Sequence, residues 1–292
     1  MSDDPFVIHR SLLFTVAYEL LGSAADAEDM VQETWLRWRG IGADGQSEVA
    51  DPRAYLVRIV SRLALNRLRT LARRKEDYVG EWLPEPLLTS PDVAEDVELA
   101  EDVSIAMLTV LETLTPTERA VFVLREVFDL PFDEIAAATG KSASAVRQIA
   151  HRARSHVAAR RPRMAVDRAE QQQAVDRFLT ALRTGDLQSL MDALAPDAVL
   201  ITDGGGVVAA VRQPVVGVKK IGNLLRGFSK AAPDAVVEPV LVNGAPGARI
   251  ILDSALDTVI GFAFRDGRIS RIFAVRNPEK LQRASSETPL SR

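Results

Sequence analysis

One arginine-rich segment of the chain has residue types that suit contact with a nucleic-acid backbone. Residues 53–75 include eight basic residues and no acidic residue. Guanidinium groups neutralise phosphates and fork onto them, whereas an ordinary solvated helix face mixes both signs of charge. On a helix, most of these side chains form a stripe opposite apolar residues, although Arg67 falls inside the apolar arc and Leu65 outside it. The predicted phosphate-binding stripe consists of Arg58, Arg62, Arg69 and Arg73.

A second segment, residues 132–157, has the pattern of a helix-turn-helix. Gly140 suits the tight turn, and Ser142 can cap the helix that follows. One side of that helix is apolar, with Val146, Ile149, Ala150, Ala153 and Val157. Its other side is polar and basic, as in helices that enter a major groove, although an ordinary helical hairpin remains an alternative. The polar side carries Ser144, Arg147, Gln148, His151, Arg152 and Arg154.

Several local signals place the helices that hold these faces. Gly22 ends a first helix, and Ser23 begins the next with Asp26 three residues later. Thr115, Pro116 and Glu118 together mark another helix start. Residues 82–91 contain three prolines and are predicted to be a linker rather than a helix.

Charge is segregated along the chain and divides it into parts. Residues 76–104 hold ten acidic residues and no basic one, residues 141–163 hold seven basic residues and no acidic one, and both signs mix after residue 165. After a predicted helical stretch at 168–194, the sequence pattern becomes typical of short β-strands, with turn signals at Asn243-Gly244 and Asp266-Gly267. This order predicts a separate α+β domain. Its predicted strands are Val199–Thr202, Val207–Val211, Val236–Val242, Ala248–Leu252, Thr258–Arg265 and Ile269–Val275.

Composition limits the possible chemistry. A length of 292 residues suggests two or three domains. The chain has no cysteine and only three histidines, so neither a metal site nor a cofactor is predicted. No apolar run reaches the roughly 20 residues of a membrane span, and an acidic start followed by Glu19 argues against a signal peptide. We therefore expect a cytoplasmic protein.

The helical part resembles sigma-70-class transcription initiation factors of the small extracytoplasmic-function group. Residues 25–38 resemble their helix that binds core RNA polymerase, and residues 51–69 resemble their promoter −10 segment. Residues 114–125 and 132–154 resemble their −35-reading domain, and two matched domains in the right order are more specific than either alone. The resemblance implies a sigma factor whose partners are core RNA polymerase and promoter DNA.

The same resemblance assigns roles to particular residues. The polymerase-docking candidates are Asp26, Glu28, Asp29, Gln32, Glu33, Trp35 and Arg37, although a place in the core is favoured for Trp35. The −10 candidates are Arg58, Arg62, Asn66, Arg69 and Arg73, and many relatives have Asn where Arg62 stands. The −35 candidates are the six polar residues of the helix-turn-helix given above. The acidic stretch 76–104 is either a solvated linker or a polyanion mimic that lies in the polymerase channel.

The remainder resembles the SnoaL-like domain that some of these factors carry at the C-terminus, a cone of curved sheet and helices around a pocket. Three short motifs carry the resemblance, and Val207 departs from it because relatives often have Lys there. We expect the first motif to pack against the C-terminal domain and to set the distance between the DNA-binding domains. The motifs are Trp82, Leu83, Pro84, Glu85, Pro86 and Leu87; Asp203, Gly204, Gly205 and Gly206; and Asn277, Pro278, Glu279, Lys280 and Leu281.

These resemblances predict a domain order and leave alternatives for the last domain. The expected parts are residues 1–78, a linker at 79–104, a helix-turn-helix domain at 105–162, a regulatory domain at 168–283 and a tail at 284–292. Regulation in cis is favoured over enzymatic activity and requires no separate anti-sigma factor, and a small-molecule ligand in the C-terminal pocket is left open. An enzyme would need Asp203, Asp253 or Asp257 as acid or base, although Asp203 before three glycines also suits a simple turn. A helix-turn-helix repressor is the third alternative.

Overall fold

The computed structural model describes residues 4–75, 78–160, 167–284 and 286–292, without the side chains of residues 72–75. The predicted roles of the Arg73 side chain and of Glu76 and Asp77 in the acidic stretch therefore lie outside the described part. The chain forms two compact units. The first comprises Met1–Asp77, Leu108–Arg160 and Pro289–Arg292, and the second comprises Tyr78–Met107 and Arg161–Thr288.

Helices dominate the first unit, and a six-stranded sheet dominates the second. The helices are α1 Pro5–Leu21, α2 Ala24–Gly40, α3 Gly42–Ser47, α4 Pro52–Lys75, α5 Pro91–Glu95, α6 Val97–Val103, α7 Ile105–Leu111, α8 Pro116–Phe122, α9 Phe132–Thr139, α10 Ala143–Arg160, α11 Arg168–Thr184, α12 Leu187–Ala193, α13 Val218–Ala231 and α14 Pro278–Leu281, and a π-helical turn spans Val123–Val127. The strands are β1 Leu194–Asp203, β2 Val215–Val216, β3 Val236–Val242, β4 Ala245–Leu252, β5 Ala255–Arg265 and β6 Arg268–Val275.

The local helix signals of the sequence are confirmed. Gly22 ends α1 in the left-handed region with a φ of 66°, and the Ser23 hydroxyl accepts the Asp26 N–H at 3.2 Å. Thr115 and Glu118 form a complete capping box at the start of α8. Gly140 makes the turn between α9 and α10 with a φ of 69°. These features depend on a few neighbouring residues, which is why the sequence alone predicts them.

The buried face of helix α4 is wider than the apolar face that its sequence pattern predicts, and it is rotated around the helix relative to that face. Besides α1 and α2, it also contacts α8 and α9, so that its apolar residues meet partners on two sides. Leu65 is therefore buried, although the pattern puts it outside the apolar arc. Arg67, which the pattern puts inside that arc, is half-buried and forms an ion pair with Asp26, with Nη2 to Oδ1 at 2.5 Å.

The expectation that Trp35 belongs to the core is wrong. Trp35 is 40% exposed, with the Arg39 guanidinium 5.7 Å from its ring centre. Trp38 is the buried tryptophan of α2, and its Nε1 donates to Asp4 Oδ1 at 3.1 Å. Residues three apart on a helix are neighbours at an angle of about 60°, so small rotations decide which of the two faces the core.

The second unit is built on a sheet with strand order β2-β1-β6-β5-β4-β3, in which only the described β1–β6 pair is parallel. Because successive side chains of a strand point to opposite faces, the sheet has two cores. One face packs on α11, α12 and α13 and includes Phe178, Phe262 and Ile272. The other face, with Val259, Phe273 and Val275, packs on the linker and α14. The predicted α+β class of this domain is confirmed.

The strand predicted over Val207–Val211 is absent, and the chain there forms a turn. Gly205 and Gly206 both have positive φ, so the chain bends away directly after β1. The Thr202 hydroxyl replaces a strand partner for Val211, because it accepts the Val211 N–H and donates to the Val211 carbonyl, both at 2.9 Å. A β-branched run therefore does not form a strand when glycines redirect the chain before it.

The last four residues belong to the first unit and pack on α1. The Ser11 hydroxyl donates to the Pro289 carbonyl, and the Ser291 N–H donates to the Thr15 hydroxyl, both at 3.1 Å. Leu290 is buried. Within the described ranges, every helix is too short or too polar to cross a membrane.

One buried cation joins the two helical groups of the first unit. Arg119 on α8 is 1% exposed; its Nε donates to the Glu19 carbonyl of α1 at 3.0 Å and its Nη1 to Glu112 Oε1 at 2.6 Å.

We predict that Arg119→Met lowers the free energy of unfolding of this unit by about 3 kcal/mol or more, because a buried ion pair loses one partner. Native-state hydrogen exchange of α8 amides measures this loss. The exposed Arg37→Met is the control, and equal effects of both variants contradict the prediction.

Candidate functional site

Helix α10 presents the polar face that the sequence predicts. Its apolar residues are buried, and the six candidate residues, Ser144, Arg147, Gln148, His151, Arg152 and Arg154, are all exposed. Three of them already have side-chain partners, and the Ser144 hydroxyl shares a hydrogen bond with the Ser142 hydroxyl at 3.1 Å. The Arg147 guanidinium lies 5.4 Å from the Phe132 ring centre, and Arg154 holds both carboxylate oxygens of Glu126 at 2.7 and 3.1 Å. The hydrogen bonds and charge of Glu126 raise the pKa of Arg154.

Helix α4 presents a second basic face. Arg58, Arg62, Asn66 and Arg69 are all exposed, as the stripe predicts. The Arg58 guanidinium lies over the Tyr55 ring at 5.3 Å, and Arg69 Nη1 donates to Asn66 Oδ1 at 3.4 Å. A row of guanidinium groups beside an aromatic ring has the chemistry that single-stranded nucleic acid needs, because phosphates meet the charge and unstacked bases can meet the ring.

The docking candidates on α2 fall into two groups. Asp26 pairs with Arg67, and Glu28 pairs with Arg10, so both carboxylates bind within the unit. Glu33 pairs with Arg37 on the same helix at 3.0 Å. The remaining candidates are exposed and stand on the outer face of the helix: Asp29, Gln32 and Trp35.

The proline-rich linker crosses one face of the C-terminal sheet. Leu83 and Leu88 are buried against Val259 and Phe273 of the sheet, together with Ile105. Pro84, Glu85, Pro86 and Leu87 are buried as well, and Trp82 is half-buried. The acidic side chains of Asp92, Glu95, Asp96 and Glu98 that follow are exposed. The structure therefore brings the first predicted motif onto the domain that carries the other two.

Asp203, at the end of β1, is the centre of this contact. Its Oδ1 accepts the Tyr78 hydroxyl at 2.5 Å and its Oδ2 accepts the Leu83 N–H at 2.9 Å. Its carbonyl accepts the N–H groups of Arg276 and Asn277 at 2.7 and 2.9 Å. A carboxylate that is 1% exposed with this many donors joins the linker, β1 and the end of β6. Its sequence context suggests only a turn residue, but in the structure the Asp203 side chain also holds the linker.

Lys280 completes the arrangement. Its Nζ donates to Asp203 Oδ2 at 2.7 Å and to the Leu83 carbonyl at 2.6 Å. The same ammonium lies 3.4 Å from the Trp82 ring centre and 5.0 Å from the Tyr78 ring centre. A buried ammonium with a carboxylate, a carbonyl and two aromatic faces is well compensated for its lost hydration. We name Asp203, Asn277 and Lys280, with the linker residues Tyr78 and Leu83 that they hold, the linker clasp.

Asn277 connects Tyr78 to α14 within the linker clasp, and Gly205 leaves room for it. Asn277 Nδ2 donates to the Tyr78 hydroxyl at 3.0 Å, while Asn277 Oδ1 caps α14 by accepting the Glu279 N–H. Burial and the bond to Asp203 raise the pKa of Tyr78, so its hydroxyl stays a donor. At Gly205 a Cβ would lie 2.5 Å from Asn277 Nδ2, so the glycine allows this approach. Val207, the departure from the family pattern, is 69% exposed.

Sequence reasoning missed Asn243, which anchors the linker at a second point. Its Oδ1 accepts the Leu87 N–H at 3.0 Å, and its Nδ2 donates to the Val103 carbonyl at 2.9 Å. The Asn243-Gly244 pair predicts only a hairpin turn, and the turn forms with positive φ at both residues. The Asn243 backbone therefore forms the turn while its fully buried side chain holds the linker, and only the turn has a sequence signal.

The enzyme alternative required a carboxylate beside a second polar group in a pocket. Asp203 is held in the linker clasp, and Asp253 is exposed in the β4–β5 turn. Asp257 is held by Arg276, with Nη2 to Oδ1 at 2.7 Å. Burial opposes ionisation of Asp257, but the bonds from Arg276 and Thr258 outweigh it and lower the pKa. A carboxylate with a lowered pKa is a poor general acid or base at neutral pH.

Two family models match the helical part of the chain. Sigma-70 region 2 matches residues 6–74, and sigma-70 region 4 matches residues 104–157. The ECF RNA polymerase sigma factor SigJ of Mycobacterium tuberculosis is 36% identical over 96% of this chain and 93% of its own length. A probable ECF sigma factor of the same organism, SigI, is 32% identical over 96% and 94%.

One solved structure agrees with these matches. The crystal structure of Mycobacterium tuberculosis SigJ superposes with a TM-score of 0.77 at 35% identity, over 96% of this chain and 98% of that one. A SnoaL-like protein from Burkholderia thailandensis aligns with 37% of this chain at 19% identity and a TM-score of 0.31. The sigma-factor relatives indicate a transcription regulator rather than an enzyme.

The linker clasp predicts a non-additive loss of stability. We expect Lys280→Met and Asp203→Asn each to destabilise the C-terminal domain by about 3–5 kcal/mol, because each leaves a buried charge without its partner. The double variant should lose less than the sum, because it leaves neither charge. Hydrogen exchange of β6 amides measures the three values. Arg265→Met, which breaks an exposed pair with Asp197, is the control, and strictly additive losses contradict the prediction.

Proposed function

This chain belongs to the extracytoplasmic-function RNA polymerase sigma factors, and we propose that its C-terminal domain regulates it in cis by holding the interdomain linker. In this proposal the protein works in the cytoplasm with core RNA polymerase and promoter DNA. The observation that carries the proposal is Lys280 Nζ, which joins Asp203 at 2.7 Å to the Leu83 carbonyl of the linker at 2.6 Å.

We assign docking on core polymerase to the outer face of α2. The support is that Asp29, Gln32 and Trp35 are exposed, whereas Asp26 and Glu28 bind arginines of the same unit. Trp35 and its neighbour Leu36 are both exposed large apolar residues, and an exposed tryptophan has the chemistry of an interface anchor. Asp26 and Glu28 would then act indirectly, by fixing how α2 packs on its neighbours.

We assign the −10 element to α4 and the −35 element to α10. On α4, Arg58, Arg62 and Arg69 provide the charge for the displaced strand, and Tyr55 provides a ring beside them. On α10, Gln148 has the amide that can pair with a base edge, whereas Arg152 has the charge for a phosphate. Arg154 would position the helix through Glu126 rather than read a base.

Binding to both elements requires the two DNA-binding helices to be far apart. The −10 and −35 elements are about 25 base pairs apart, which is roughly 85 Å of B-DNA at 3.4 Å per base pair. In the first unit, however, α4 contacts α8 and α9, and Arg119 ties α8 to α1. The sigma domains must therefore separate before they can occupy both elements.

The linker sets how far they can separate. Residues 78–107 lie between the two sigma segments, and a free chain of that length reaches roughly 100 Å. While held, the linker is fixed at Tyr78 and Leu83 by the linker clasp and at Leu87 and Val103 by Asn243. We propose that release of the linker clasp frees the first part of the linker and that loss of the Asn243 anchor then frees the rest, so that the C-terminal domain inhibits until both points are released.

Transcription in vitro tests this proposal. We expect the full chain with core polymerase to initiate at promoters selected from a randomised −35/−10 library. We expect Lys280→Met to increase the transcript several-fold on the same promoter, because the linker is released. The exposed Lys230→Met is the matched control, and it should change nothing.

Two results would count against the proposal in different ways. A full chain that neither binds core polymerase nor initiates at any selected promoter would remove the docking and promoter assignments. A Lys280→Met chain that initiates equally or less than the wild type would remove the inhibitory role of the linker clasp.

The two roles on α10 predict different kinds of defect. Gln148→Ala should lose about 1–3 kcal/mol of discrimination at one base pair of the −35 element, because an amide pairs with one base edge. Arg152→Ala should weaken binding to all sequences alike and should reduce its dependence on salt, because one phosphate contact is lost. Binding titrations against single-base promoter variants at several salt concentrations separate the two, and a uniform loss for Gln148→Ala contradicts the assignment.

A further inference from the structure

The C-terminal domain has a cavity of about 500 Å³, open to one side, on the sheet face opposite the linker. This volume lies within the range of small-molecule sites, roughly 300–1,000 Å³. Helices α11 and α13 form one wall with Phe178, Leu182 and Phe228, and the strands form the other with Leu200 and Ile260. The lining is mainly aliphatic and aromatic, so an occupant must be mainly apolar.

The polar groups of the cavity carry no net charge. Besides Thr202, Thr258 and Asn223, the lining includes Arg276. The Arg276 Nε and Nη2 hold Asp257 at 3.1 and 2.7 Å, and its Nη1 donates to the Ala209 carbonyl at 2.5 Å. The cation therefore has its counter-ion within the protein, and a second anion would have to compete with Asp257. The Thr202 and Thr258 hydroxyls donate within the protein, but the three bonds of Arg276 leave two of its five N–H groups, so the cavity favours a neutral molecule that accepts a hydrogen bond at that end.

The cavity and the linker clasp occupy opposite faces of the same strand ends. Thr202 lines the cavity, while its neighbour Asp203 holds the linker. Arg276 lines the cavity, while its neighbour Asn277 holds Tyr78. β1 and β6 are paired here in parallel register, and the Asp203 carbonyl binds the N–H groups of both Arg276 and Asn277. A displacement of the end of β1 or β6 therefore changes both the cavity on one face and the linker clasp on the other.

We propose that this cavity binds a neutral, mainly apolar small molecule with a hydrogen-bond acceptor at one end, and that binding tightens the linker clasp. An occupant supplies contacts to side chains that face empty space on one side, which stiffens the ends of β1 and β6. Coupling between two sites is reciprocal, so a loosened clasp must weaken binding by the same factor as binding protects the clasp. Only the consequence for transcription rests on the function proposed above.

The binding part is tested with prodan, a neutral naphthalene ketone whose emission shifts to the blue in apolar surroundings. Gly227 lines the cavity on α13, and a Cβ there meets no atom within 4 Å. Gly227→Trp should therefore fill the cavity without disturbing the helix and abolish the blue-shifted emission. The matched control is Lys230→Trp, which places the same side chain at an exposed position of α13 outside the cavity.

The coupling part is tested by hydrogen exchange of two linker amides in the full chain. Prodan should slow exchange of the Leu83 amide, which Asp203 holds, by about fivefold or more. The Leu87 amide, which Asn243 holds at the far turn, should not change. Tyr78→Phe keeps the ring but removes one bond to Asp203, so it should weaken prodan binding by a factor no larger than that found for Leu83.

Each part of the proposal can be overturned separately. Absence of prodan binding to the wild type, or equal binding to Gly227→Trp, would overturn the site. Tighter binding of anilinonaphthalene sulfonate, an anion of similar size, would overturn the neutral class of ligand. Binding that leaves the Leu83 amide unchanged would overturn the coupling. All of these measurements are made without polymerase, so they stand or fall independently of the transcription results.

Discussion

The second unit depends on one buried ion pair, the contact of Lys280 with Asp203. Both side chains are almost fully buried, and a charge in such a place is stable only when its partners are correctly placed. The pair therefore stabilises the unit only when the linker is present, because the Leu83 backbone and the rings of Tyr78 and Trp82 complete its surroundings. This dependence turns a flexible connection into a folded part of the C-terminal domain.

Because side chains alternate along each strand, the C-terminal domain can have a cavity on one face of its sheet and hold the linker on the other. At the ends of β1 and β6, neighbouring residues face the cavity and the linker in turn. Arg276 is the clearest case, since its side chain closes the polar end of the cavity while its N–H binds the Asp203 carbonyl. In the proposed regulation, this shared backbone is what connects the cavity with the linker contact.

Features set by a few neighbouring residues could be predicted from the sequence. The capping box of Thr115, the turn at Gly140 and the buried face of α10 are of this kind. Features that depend on distant packing could not. The resemblance named the motifs that contain Asp203 and Lys280, but 77 residues separate the two, and no local pattern pairs them. The exposure of Trp35 and the linker contacts of Asn243 could not be predicted for the same reason, since neighbouring elements decide the surroundings of both side chains.

The most direct test of the central claim is the distance between the two sigma domains with the linker held and released. The chain has no cysteine, so Glu48→Cys and Ala159→Cys in the first unit provide unique sites for a spin-label pair. Double electron–electron resonance should give a short distance in the free wild-type chain and a long one in the polymerase–promoter complex. Adding Lys280→Met should move a share of the free chain to longer distances. Identical distributions with and without Lys280→Met, or a short distance that persists in the promoter complex, would contradict the account.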